Sequence, residues 1–125
     1  MSKTLNDFVS EARSATGVVQ PAEAHASDAV ILDVREAHEL DEAGRVDRAV
    51  HVPRGFLEAR ADPSAGSAHP DLVAAHGGDT PVYVLCASGA RAALAAKTLT
   101  EMGYDARPID GGIKAWRDCG LPVAD

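Results

Sequence analysis

Cys86 stands where a short apolar run ends and an alanine-rich segment begins, and Arg91 follows five residues later. The stretch reads Val82-Tyr83-Val84-Leu85-Cys86-Ala87-Ser88-Gly89-Ala90-Arg91. A thiol is a nucleophile as its thiolate, and a helix amino terminus stabilises negative charge. Ala87, Ser88, Gly89 and Ala90 are all small, so a backbone loop can wrap tightly and aim its N–H groups at a bound anion. Gly89 can adopt a positive φ if the wrap needs one. Arg91 adds a permanent cation suited to a sulfonate or carboxylate. The residue types therefore point to thiolate chemistry on an anionic or electrophilic small molecule.

The flanking elements must place that thiol. Val82 to Leu85 follows Pro81 and is short, β-branched and aromatic, the pattern of a strand buried on both faces. Gly89 to Met102 is rich in Ala and Leu and reads as a helix. Cys86 then lies at the carboxyl end of a strand and the amino end of a helix, the crevice where open α/β sheets bind ligands. Elsewhere, helices are expected over 4–14, 21–26, 37–43, 56–60, 70–76 and 113–118, and strands over 17–19, 29–34, 49–52 and 107–109. The first helix should bury Leu5, Phe8, Val9 and Ala12 on one face. Strands that alternate with helices imply a mostly parallel sheet covered on both sides.

The chain has 125 residues, 46% hydrophobic and 25% charged, with a formal net charge of −7. That composition suits one folded domain over 1–125. The acidic balance argues against nucleic acid or an anionic membrane as partner. No apolar run approaches a membrane span, and the first fifteen residues lack the pattern of a signal peptide. Cys86 and Cys119 make neither a disulfide framework nor a zinc-type CxxC pair, so a reducing cytoplasm and no metal or cofactor are expected.

Several segments together resemble the rhodanese domain, the sulfurtransferase module. These are Ile31-Leu32-Asp33-Val34-Arg35-Glu36, Val50-His51-Val52-Pro53-Arg54-Gly55, the loop Cys86 to Arg91, Gly103-Tyr104, Asp110-Gly111-Gly112 with Trp116, and Gly120-Leu121-Pro122-Val123. Their order and spacing carry the likeness from about Val18 onward, with the N-terminal helix outside it. The resemblance implies a single α/β domain with a central parallel five-stranded sheet flanked by helices. It also implies sulfane-sulfur transfer through a Cys86 persulfide, from a small anionic donor such as thiosulfate to a thiol, a sulfur carrier or, in the laboratory, cyanide. The oligomeric state is left open. Two departures stand out: Gly44-Arg45-Val46-Asp47-Arg48-Ala49 carries arginines where the family often has His and Gly, and Ala92 replaces a frequent Ser.

Other classes use a similar loop. Cell-cycle phosphatases and arsenate reductases resemble this domain but enclose one residue more between Cys and Arg, which suits a tetrahedral phosphate better than a single sulfur. A non-enzymatic partner-binding or sulfur-shuttling module is the third reading. Around the loop, Asp33 and Arg35 read as a structural ion pair or loop brace ahead of a catalytic support. His51 reads as a satisfied core or edge histidine, Trp116 as a packing anchor, and Arg48 and Arg54 as solvated surface. Cys119 reads as a helix-end residue ahead of a resolving thiol.

Overall fold

The computed structural model describes residues 2–125. Helix α1 (Leu5–Thr16) leads into α2 (Pro21–Ala26), strand β1 (Val30–Asp33), α3 (Ala37–Ala43) and β2 (Val50–His51). A 3-10 turn (Arg54–Phe56) precedes α4 (Leu57–Ala61) and α5 (Pro70–Val73). Then come β3 (Val82–Leu85), α6 (Ala90–Glu101), β4 (Ala106–Pro108) and α7 (Gly112–Asp118). The strands form one parallel sheet in the order β2-β1-β3-β4.

Alternation along the strands splits the core in two. Leu32, Val34, Val82 and Val84 face one layer with Leu57, Leu72, Ala92, Ala96, Leu99 and Tyr104. Ile31, Tyr83 and Leu85 face the other with Val19, Ala24, Ile109, Ile113 and Trp116. Trp116 is fully buried and its indole N–H donates to the carbonyl of Pro122 at 3.0 Å, so it anchors α7 to the C-terminal segment.

The chain leaves β1 toward β2 on one side, then crosses back to β3 on the other. The order therefore reverses between the carboxyl ends of β1 and β3, where Asp33 pairs in register with Leu85. Parallel sheets open a binding crevice at such a reversal. The chain exits there through Val34-Arg35 on one strand and Cys86-Ala87 on the other.

Two expectations are corrected. The sheet has four strands, not five. The segment at Val19 contributes only a single parallel bridge to Ile109, with Val19 N–H donating to Pro108 O at 3.0 Å and Asp110 N–H to Val19 O at 2.9 Å. Gly17 turns the chain at the end of α1 and Pro21 opens α2, so too few extended residues remain for a ladder. On α1, Ala12 alone of the expected face is buried; Leu5 is 61% exposed and Phe8 48%. No helix among the described residues is long and apolar enough to cross a membrane.

Candidate active site

The Cys86 sulfur lies under the first turn of α6. It accepts hydrogen bonds from the backbone N–H of Gly89 at 3.0 Å and of Ala92 at 3.3 Å. The early N–H groups of a helix have no partner within the helix, and here one of them is spent on Sγ. Gly89 caps the helix with φ of +116°, a conformation that turns its amide inward and that side-chain-bearing residues rarely adopt. Cys86 is only 1% exposed, yet its sulfur faces amides, so the site carries positive potential from donors and helix alike. Of the loop, Ser88 is exposed, Ala87, Ala90 and Arg91 are half-buried, and Gly89 is buried.

The loop carbonyls are held from behind. Ile113 N–H donates to Cys86 O at 2.8 Å and Lys114 N–H to Ala87 O at 3.4 Å, both from the start of α7. Gly112 permits that approach, since a Cβ there would stand 2.5 Å from Cys86 O and 2.6 Å from Ala87 C. With its carbonyls drawn to α7, the loop presents the Gly89 N–H to the sulfur.

Asp33 and Arg35 form a buried pair, each 1% exposed, at the exit of β1. Arg35 Nη2 donates to Asp33 Oδ2 at 2.7 Å and Nε to Oδ1 at 3.0 Å, a two-pronged contact. Nη2 also reaches the carbonyl of Gly44 at 2.9 Å, tying the end of α3 to the sheet. Arg35 Nη1 is buried with no partner among the described residues. Neither side chain donates to or accepts from the Cys86 loop among the described contacts. His51 Nε2 donates to the carbonyl of Arg35 at 2.7 Å and so bolsters the same exit.

Arg91 does not stand free. Its Nη1 and Nη2 donate to Glu39 Oε2 and Oε1 at 2.7 and 2.8 Å. Glu39, on the first turn of α3, also accepts from the backbone N–H of Glu36 at 2.7 Å in a capping box. The Arg91 hydrogen bonds lead in lowering the Glu39 carboxyl from 4.5 to about 2; burial opposes this, and the Glu36 N–H and the charge of Arg91 assist. Arg91 is pushed above its ordinary value, first by the hydrogen bond to Glu39 and, against desolvation, by the charges of Glu39, Cys86 and Glu36. Sequence reasoning missed Glu39. The available signal was an acidic residue in the first turn of the helix that follows β1, close to the crevice.

The remaining candidates lie in structural contacts. Arg48 donates to the carbonyls of His25 and Ala29, and Arg45 pairs with Asp41. Arg54 pairs with Glu58 at 3.0 Å and reaches Thr98. Cys119 is exposed at the end of α7, and both cysteines are free thiols. Among the described residues, no group of three or more His, Cys, Asp or Glu side chains is gathered to hold a metal ion.

A structure from Rhodopseudomonas palustris, of a protein of unknown function described as a possible tyrosine phosphatase, is 34% identical with a TM-score of 0.88, covering 98% of this chain and 96% of that one. The solution structure of a polysulfide-sulfur transferase homodimer from Wolinella succinogenes is 32% identical with a TM-score of 0.70, covering 94% and 84%. The adenylyltransferase and sulfurtransferase uba4 of Neosartorya fischeri is 30% identical over 104 residues, 70% of this chain. This chain spans about a fifth (21%) of that relative's length. Residues 18–119 match the family model for the rhodanese-like domain, and the chain belongs to that family.

Proposed function

We propose that this protein is a sulfurtransferase that carries sulfane sulfur on Cys86. The Cys86 thiolate attacks the outer sulfur of a donor such as thiosulfate. The S–S bond of the donor breaks, sulfite leaves with the bonding electron pair, and Cys86 becomes a persulfide. An acceptor thiolate, a sulfur-carrier protein or cyanide then attacks the outer sulfur and takes it, which returns the thiolate. No proton transfer to a side-chain base is needed if the thiolate is the resting nucleophile.

The observation that carries this reading is the convergence of the Gly89 and Ala92 N–H groups on Sγ. Fixed donors of this kind stabilise negative charge on Sγ when it leaves in the second step. Sulfur transfer in the names of the Wolinella and Neosartorya relatives supports the same assignment. A reducing cytoplasm suits two free thiols. The test is cyanide-dependent formation of thiocyanate from thiosulfate. The wild-type protein should catalyse it and Cys86→Ser should not; equal rates for the two would reject the proposal.

A phosphatase-like reading has one observation in its favour, the likeness to the possible tyrosine phosphatase. Four residues separate Cys86 from Arg91, and the Arg91 terminal nitrogens are turned to Glu39, so less of the ring is left for a phosphate. Turnover of an aryl phosphate without sulfur transfer would make this the correct reading instead.

A further inference from the structure

Arg91 is the cation that closes the Cys86 loop, and a carboxylate from another helix already holds it. Both oxygens of Glu39 are engaged by the two terminal nitrogens of Arg91, at 2.7 and 2.8 Å. Oε2 of the same carboxylate also accepts from the Glu36 N–H, so it is anchored at the start of α3 and not carried along by Arg91. The pair is only partly open to solvent, with Glu39 22% and Arg91 38% exposed. The planar end of a guanidinium matches a carboxylate or a sulfonate in the same two-pronged manner. A donor with a sulfonate-like head must therefore compete with Glu39 for the same N–H groups, and it meets a negative charge while doing so.

We infer that Glu39 is a specificity-determining residue of the Cys86 site: it occupies the terminal fork of Arg91 and so disfavours dianionic donors such as thiosulfate relative to donors without a charged head. This rests on the sulfur-transfer reading. It gives Arg91 a conditional part in donor binding, open only when Glu39 yields. Donors that reach Sγ with an uncharged body bypass the competition; with an alkyl hydropersulfide, Sγ attacks the outer sulfur, the donor S–S bond breaks and the alkyl thiolate leaves with the electron pair.

The test uses Glu39→Gln, because glutamine keeps the cap at this helix position and stays isosteric. Two arms are needed. In the first, thiosulfate is titrated into Cys86→Ser and into Cys86→Ser/Glu39→Gln by calorimetry, where no turnover can occur. Loss of the carboxylate should tighten binding by roughly tenfold, the scale of one charge-assisted hydrogen bond gained by the donor. Adding Arg91→Ala should erase that gain, which a purely structural part for Glu39 would not predict. In the second arm, with Cys86 intact, Glu39→Gln should lower the KM for thiosulfate and leave that for an alkyl hydropersulfide unchanged.

Thiosulfate affinity unaltered by Glu39→Gln, or a gain that survives Arg91→Ala, overturns the inference on its own. So does a parallel change of both KM values. Absence of transfer from either donor by the wild-type protein would overturn the sulfur-transfer reading itself, and the calorimetric arm keeps the two failures apart.

Discussion

Gly112 rests directly on the peptide that follows Cys86. Its φ is +63°, and a Cβ added to it would stand 2.5 Å from the Cys86 carbonyl oxygen and 2.6 Å from the Ala87 carbonyl carbon and oxygen. These neighbours are backbone, so they cannot swing aside as a side chain would. The contact lets α7 hold the loop carbonyls while the Gly89 N–H faces the sulfur.

Gly112→Ala should therefore strain the loop and the fold together. The expected loss is roughly 2–4 kcal/mol in urea unfolding, from a forced positive φ and overpacking. Sulfur transfer should fall on the order of a hundredfold, because a small displacement of a reacting group is costly. Gly55→Ala is the control: its Cβ meets nothing within 4 Å, and it should change neither quantity. Equal activity of Gly112→Ala and wild type would show that the loop does not depend on this support.

The Glu39–Arg91 pair gives a pH dependence with a definite sign. The Glu39 carboxyl is lowered from 4.5 to about 2, so it binds its proton more weakly in the folded protein than in the unfolded chain. Its contribution is then fully present above about pH 4.5 and is lost as pH falls toward 2. Screening at a pair whose arginine is 38% exposed keeps that contribution to about 1 kcal/mol. Urea midpoints measured between neutral pH and pH 2 should fall less steeply for Glu39→Gln than for wild type. Parallel curves would contradict the pairing.

Asp33→Ala should be among the more damaging substitutions outside the loop. It leaves the Arg35 guanidinium, 1% exposed, without its counter-ion, at a cost of about 3–5 kcal/mol. Replacing both partners with apolar residues, as in Asp33→Leu/Arg35→Met, should recover much of that loss, since the desolvated charge is gone. Denaturant unfolding of the single and double variants checks this. A double variant less stable than Asp33→Ala would mean that the Arg35 contact with Gly44 matters more than the pair.

The legible parts of this chain are those with local signals. The strand, loop and helix around Cys86 follow from Pro81, the apolar run and the alanines, and they lie within a residue or two of their expected bounds. Helix α3 begins at Ala37 and ends at Ala43 as its pattern implies, because Gly44 stops it. The strand expected over 49–52 contracts to Val50–His51. Val18 and Val19 suggest a fifth strand by type, but strand length depends on what lies between Gly17 and Pro21. Leu5 and Phe8 show the right spacing for a buried face, while Ala12 alone is fully covered and Val9 is half-buried. Glu39 was not legible as part of the site because its partner lies 52 positions away, and only the fold brings the two side chains within reach.

Cys119→Ser should leave sulfur transfer and stability within experimental error of wild type. Cys119 is exposed at the end of α7 and is not bonded to Cys86. Steady-state rates with thiosulfate and cyanide check this. A large loss would assign Cys119 a resolving or relay part.

The most direct test of the account is the intact mass of the protein after incubation with thiosulfate and removal of free donor. The account predicts a species heavier by one sulfur atom, reversed by cyanide, absent from Cys86→Ser and retained in Cys119→Ser. An unchanged mass for the wild-type protein, or a sulfur that still adds when Cys86 is serine, would contradict it.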